Sequence, residues 1–558
     1  MRKKNIYYTT FVIASLINGW VHAAPAAPDG GQVAREAEKR TDLAKPASAK
    51  SLTVNGQALA PVLANSDVKI PVQSVRVTGS TIFAASQLEE LLSKLKGRDN
   101  SLQDLEEGAA LITAYYRERG YLVATAYIPA QDITNGAVSI QVVEGVLASK
   151  KIENKSKLPD ALIERYAGTV ENGLVLQAQK VDRALLLMSD MAGVGGTRGV
   201  LQPGAGVGTT ELVFEIEPGD TFASKVELDN YGSRYTGANR LEASIDVKSP
   251  LNMGDLLSAR AMTSGPGMQF GRLAYEVPVG PSGLKLGGSH YRMQYKLGEE
   301  FANLGAHGTA NNTSLFASYP FVRASLQNLY GVFTIERKDL QDQIDSVASK
   351  LEKQVNNITL AMAGNSRDSI WNGGFSALEV ALSGGELSMD AQTLAIDSAA
   401  DSAKTNGTFF KLGYSLKREQ TMSDYYSLLM SLSGQLADKN LNSSEKFSLG
   451  GVYGVRAYPQ GEGAGDRGIM LNLEVRNYLS EKFQWSVFYD VGQVDINRNP
   501  FNAQSNTRTL AGLGLGASGR FDKLQYRAML AWRTLGGDPV TDSNTSDPRL
   551  WMQLSLPL

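Results

Sequence analysis

The sequence predicts a membrane all-β barrel of about 16 antiparallel strands, preceded by two β-α-α-β-β modules and an N-terminal helix and linker. Three observations carry that prediction. Beyond residue 222 the chain alternates apolar and polar residues, in segments of about 10 residues that can cross a bilayer when tilted. The alternate face is polar in segment after segment, as in Glu474 and Arg476, or Gln525, Arg527 and Arg533. After the N-terminus no stretch reaches about 18 consecutive apolar residues, so helical spans are excluded. A wet interior and a greasy exterior describe a closed cylinder, which leaves no unpaired backbone edge in lipid.

The elements follow in chain order. Residues 1–23 read as a signal peptide: Arg2, Lys3 and Lys4 are basic, an apolar stretch runs from Ile6 to Gly19, and Val21-His22-Ala23 offers small residues for cleavage. Residues 24–66 are the N-terminal helix and linker. Gln32–Arg40 has good helix formers but only Val33, Ala34 and Ala37 as an apolar face, which suits a polar cavity better than a packed core. Residues 67–146 form the first module. Its second helix carries Leu102, Leu105, Ala109, Ile112 and Tyr116 on one face, is capped by Ser101 with Asp104, and ends at Gly120. Strands over Leu122–Tyr127 and Ala137–Val143 follow, with Asn135-Gly136 turning between them. Residues 147–221 repeat the pattern, with helices near Leu158–Ala167 and Val181–Met191 and a strand carrying Leu212, Phe214 and Ile216. Residues 222–558 are strands only. Leu241/Ala243/Ile245/Val247, Tyr291/Met293/Tyr295/Leu297 and Phe410/Leu412/Tyr414/Leu416 are apolar sets expected to face lipid, and Leu550–Leu558 is the closing strand.

Composition narrows the function. Charges nearly balance, 55 basic against 57 acidic, so no concentrated basic face points to nucleic acid. The chain has no Cys, which excludes disulfides and thiolate metal sites. His290 and His307 have no metal-ligand companion at short spacing, and His290 is expected in the lumen or at the interface. Gly204-x-Gly206-x-Gly208 and Gly461-x-Gly463-x-Gly465 lack the strand–loop–helix setting of a phosphate site. Nothing resembles a nucleophile with its base, and no cofactor is implied. The polar clusters Asp397–Asn406 and Asp538–Asp547 read as solvated extracellular loops, with ion binding the lesser alternative.

Two motifs in the C-terminal third stand out. Val455-Arg456-Ala457-Tyr458 lies in a loop from Gly450 to about Gly468, loosened by several glycines, and Phe488-x-Asp490-x-Gly492 lies on a strand. Trp485, Val487, Tyr489 and Val491 share one strand face, which must meet lipid, so Phe488, Asp490 and Gly492 face the lumen. A carboxylate in a partly dehydrated lumen needs a partner. Arg456, on a loop able to fold inward, is the candidate, with Phe488 and Tyr458 placed to stack on its guanidinium and Gly492 leaving room.

With these residues in view, the chain resembles the two-partner secretion transporters, the haemolysin and filamentous-haemagglutinin secretion and activation proteins of the POTRA–outer-membrane barrel superfamily. The resemblance rests on Gly120-Tyr121, Ile128-Pro129, Gln131, Gly136 and Glu144-Gly145 in the first module, and on Leu187, Asp190, Gly193 and Pro203-Gly204 in the second. Leu228-Asp229-Asn230-Tyr231-Gly232, the VRAY loop motif and the F-x-D-x-G strand motif extend it across the barrel. Ala457 departs from the family's usual Gly, Ala192 from a frequent Pro, and Leu558 from the common terminal aromatic. A positive φ at Ala457 would carry strain. The resemblance implies two POTRA modules in the periplasm, a plug helix near Gln32–Arg40, and an inward loop latched to the wall. It also implies a large secreted β-helical partner (an adhesin, cytolysin or toxin) and contact with outer-membrane lipid and the barrel-assembly machinery. An insertase that assembles other barrels shares the loop and strand motifs but usually carries more POTRA modules. A diffusion porin would have no such modules.

Overall fold

The computed structural model describes residues 27–38, 53–54, 69–206 and 208–558. The expected signal peptide and most of the linker lie outside these residues. Helix α1 (Gly30–Ala37) starts where Asp29 accepts the Gln32 N–H, two residues earlier than expected and ending before Arg40. Strand β1 (Thr53–Val54) follows.

The first module packs α2 (Ala85–Leu91) and α3 (Leu102–Glu118) on a sheet of β3 (Ser74–Thr78), β6 (Ala137–Val143) and β5 (Thr125–Tyr127), with a small pair, β2 (Ile70–Val72) and β4 (Arg98–Asn100), beside it. Ser101 and Asp104 form a reciprocal capping box at α3. The module's core gathers Val75, Val77, Leu105, Ile112, Tyr116 and Ile140. Asn135 and Gly136 both have positive φ, but they end a longer connection, because β5 stops at Tyr127. There Gln131 imitates a strand: its amide donates to Ser139 O at 2.7 Å and accepts the Ser139 N–H at 2.7 Å.

The second module places α4 (Asp160–Ala167) and α5 (Ala178–Ser189) on β7 (Val146–Asn154), β8 (Val194–Pro203) and β9 (Thr209–Pro218). The sheet order is β1-β8-β9-β7, so the short linker strand adds in parallel to the β8 edge, pairing Thr53 with Val200 and Val54 with Leu201.

Sixteen antiparallel strands then close a barrel. They are β10 (Phe222–Asp229), β11 (Arg240–Lys248), β12 (Leu256–Thr263), β13 (Met268–Val279), β14 (Leu284–Lys296), β15 (Ala306–Arg323), β16 (Gln327–Ile344), β17 (Ser349–Asp368), β18 (Gly374–Met389), β19 (Gly407–Thr421), β20 (Tyr426–Ala437), β23 (Arg467–Ser480), β24 (Phe483–Asp495), β25 (Thr507–Phe521), β26 (Leu524–Leu535) and β27 (Arg549–Pro557). The short pair β21 (Phe447–Ser448) and β22 (Ala464–Gly465) lies in the loop before β23, and α6 (Ala391–Asp397) follows β18. β10 pairs with β27, which closes the cylinder. Outward residues such as Leu273, Leu315 and Phe410, each 60% exposed or more, form the face that meets lipid. Strands β15 to β17 run 18–20 residues, longer than the expected segments and longer than a bilayer crossing needs.

One apolar set faces the opposite way from expectation. Tyr291, Met293 and Tyr295 are buried inside, not turned to lipid, because α1 packs on them through Val33, Ala34 and Ala37. His290 therefore points outward, where it bonds Thr313 Oγ1 at 2.9 Å. The helix accordingly rests on an apolar floor within the lumen, a correction to the purely polar cavity its sequence suggests.

The second module is bolted to the periplasmic turns of the barrel. Asp190, just after α5, receives Arg323 at the end of β15 through Nε and Nη2, both at 2.7 Å. Arg183 donates to Pro320 O at 2.9 Å. Ala192 N–H donates to Gly254 O at 3.1 Å, a bond that proline could not make.

Candidate functional site

The connection between β20 and β23 leaves the wall at residue 438, well before Gly450, and folds into the lumen. Its inward course depends on close backbone contacts: a side chain at Gly454 would collide with the Leu449 carbonyl. Gly492 on β24 serves the same end, since a Cβ there would meet Leu449 Cδ2 at 2.6 Å. Val455, Arg456, Ala457 and Tyr458 are all buried, as are Phe488 and Asp490.

The structure brings Arg456 and Asp490 together. Asp490 Oδ2 accepts from the Arg456 main-chain N at 3.1 Å and from Nε at 2.8 Å, while Oδ1 accepts from Nη2 at 2.8 Å. The guanidinium carbon sits 3.4 Å from the centre of the Phe488 ring. Tyr458 does not stack on it. Its hydroxyl instead donates to Leu535 O at 2.8 Å and Gly537 O at 2.9 Å, fastening the loop to the hairpin between β26 and β27. Ala457 is absent from the positive-φ residues, so the expected strain does not arise. Its methyl fits because β25 carries Gly512, where a Cβ would approach Ala457 Cβ to 2.5 Å.

Several partners escaped sequence reasoning. Glu474 Oε2 accepts from Arg456 Nη1 at 2.7 Å and Glu474 Oε1 from Arg476 Nε at 2.8 Å, so the guanidinium is shared between two carboxylates. Glu474 pairs across β23 and β24 with Phe488, and Asn472 with Asp490; this register was the missing signal. Asn472 Nδ2 bridges Asp490 Oδ1 at 2.8 Å and Gly454 O at 2.9 Å. Trp551 Nε1 on β27 donates to Arg456 O at 2.7 Å. Further out, the fully buried Glu462 accepts from Arg508 and from the main-chain N of Val540 and Thr541, and the fully buried Asp466 accepts from Leu441 N and Arg498 N. Unpaired, either acid would be costly to bury; each is satisfied by a neighbouring loop.

Helix α1 shares the lumen with this loop. Asp29 accepts from Ser443 Oγ at 2.6 Å, and Arg35 Nη1 donates to Ser443 O and Lys446 O, both at 2.7 Å. Among the described residues no helix is long and apolar enough to cross a membrane, and no group of three His, Cys, Asp or Glu is placed to hold a metal.

Residues 208–519 match the family model of the haemolysin secretion/activation proteins ShlB/FhaC/HecB, and residues 70–145 match that of the ShlB-type POTRA domain. The chain belongs to the haemolysin secretion/activation family. Its barrel is an outer-membrane protein-secretion transporter of the two-partner kind, with the POTRA region in the periplasm. The heme/hemopexin transporter protein HuxB of Haemophilus influenzae (strain 86-028NP) is similar at 28% identity over 507 residues, 88% of each chain. The hemolysin transporter protein ShlB of Serratia marcescens is 25% identical over 484 residues, covering 83% of this chain and 82% of that protein. Among solved structures, CdiB from Escherichia coli has the same fold, with a TM-score of 0.69 at 17% identity over 91% of this chain and 94% of that one.

Proposed function

We propose that this family member captures a large, β-rich secreted partner at its POTRA sheets and threads it, unfolded, through a lumen closed at rest by α1 and latched by Arg456 and Asp490. One observation supports the reading: two segments of the chain, α1 and the β20–β23 loop, lie within the barrel, and the polar contacts that hold α1 can be exchanged without unfolding the wall. The β8 edge already accepts an added strand from the linker, so a strand of the partner has a template for the same backbone pairing. Exchange of this kind suits an extended chain, and folding of the partner outside supplies direction. The latch holds the loop as a fixed wall of the pore, so it acts by shaping the lumen and not by chemistry. An adhesin, a cytolysin or a toxin with an N-terminal secretion domain fits this path equally.

The test is co-expression with a candidate partner, with residues 67–220 deleted from the transporter. Export to the medium disappears while the barrel stays in the outer membrane. Undiminished export would mean a passive pore.

A further inference from the structure

The floor beneath α1 is out of character for a water-filled lumen. Towards the periplasm the inner wall is mixed: Ser258, Ser318, Thr334 and Thr359 share a cavity of about 950 Å³ with Tyr275, Phe316 and Tyr330, and it opens beside Asp190 and Met191 of the second module. Towards the outside, the same wall turns apolar. Met262, Met268, Phe270, Tyr291 and Met293 form a continuous buried patch, and Met293 is fully covered. Against this the helix offers only Val33, Ala34 and Ala37. The helix shares this cover with Tyr235, Phe301 and Leu340 of the barrel, and the thioethers of the floor suit a surface that accepts varied shapes.

The seat also grips backbone at both ends. Asp342 accepts the Gly30 main-chain N–H at 2.7 Å, with Tyr295 OH on the same oxygen at 2.6 Å. At the other end Arg260 Nη2 donates to the Ala37 carbonyl at 3.1 Å. The Arg260 contact reads no side chain and would serve another polypeptide, whereas the Asp342 end favours glycine, since a Cβ at Gly30 would stand 2.9 Å from Asp342 Oδ1. Arg260 also lines the periplasmic cavity, which makes the seat the next surface a chain meets on its way out.

We propose that the seat of α1 is a peptide-binding site for the polypeptide in transit, taking the apolar side chains of an extended, alternating segment once the helix has left. This rests on the threading reading above. The helix then acts as an occupant of that site at rest, and an apolar floor inside a wet pore is covered in both states.

Because the chain has no cysteine, single cysteines carrying a photo-activated cross-linker report unambiguously. Met293→Cys and Ala310→Cys place the probe in the seat, and Thr359→Cys places it in the periplasmic cavity, outside the seat. Ala310→Cys is the smaller change and keeps the test sound if Met293→Cys disturbs the barrel. With a partner stalled in export by a folded C-terminal block, we expect several-fold more partner adduct at 293 and 310 than at 359, mapped to its Leu, Ile, Val and Phe residues. Partner captured at 359 but not in the seat, or seat adducts formed with lipid alone, overturns the binding site and leaves threading intact. No partner adduct at any of the three positions overturns threading, and the site with it.

Discussion

Trp551 donates its indole N–H to the main-chain carbonyl of Arg456 at 2.7 Å, so the last strand of the barrel grips the residue that Asp490 holds from β24, three strands away. The two contacts differ in cost. Arg456→Ala strands the fully buried Asp490 carboxylate, at about 3–5 kcal/mol, while Glu474 keeps Arg476; Trp551→Phe loses one neutral hydrogen bond at about 1 kcal/mol. We expect Arg456→Ala or Asp490→Ala to impair export strongly with the barrel still inserted, and Trp551→Phe to do so mildly. Secretion assays with heat-modified gel mobility separate the two effects. Normal export in both charge variants would remove the latch.

Gly512 and Ala457 make a size-matched pair. Gly512→Ala overpacks the loop against β25 at about 1–3 kcal/mol, and adding Ala457→Gly should restore the loss. The readout is the temperature at which the inserted barrel loses its compact gel mobility. A double variant no better than Gly512→Ala would show that the two positions do not couple.

Gly31 lies against the loop, where a Cβ would meet Ser443 Oγ at 2.5 Å and Ser444 N at 2.8 Å. Gly31→Leu should push α1 out of its seat and raise single-channel conductance in planar bilayers. An unchanged closed state would mean that the helix is held by other contacts alone.

Glu144 provides a pH test in the periplasmic region. Burial raises its carboxyl pKa, but bonds from the Thr81 hydroxyl, the Ile82 N–H and the Tyr116 hydroxyl outweigh it and hold the group below the usual range. A depressed folded-state pKa gives stability that is fully present above the unfolded value of about 4.3 and lost as pH falls through the folded one. The melting temperature of a fragment spanning residues 69–219 should therefore drop more steeply below that pH in the native sequence than in Glu144→Gln. Parallel curves for the two would refute the assignment.

Much of this molecule was legible along the chain. Alternation at period two specifies a lipid-facing wall because hydrocarbon penalises every inward–outward error, and the same parity sets Asp490 inward from Trp485 to Gly492 without reference to any neighbour. The Ser101–Asp104 box and the helical spacing of Leu105, Ala109 and Ile112 mark α3 because caps and helix faces are local properties. Parity does not say which side is wet, however, and the Tyr291/Met293/Tyr295 set was reversed by a helix more than two hundred residues away. Glu474 and Trp551 reach Arg456 only through the register of β23 on β24 and through the closure of β27 on β10. Such contacts depend on how distant strands are staggered around the cylinder, a quantity fixed by closing the whole sheet and not by any run of neighbouring residues.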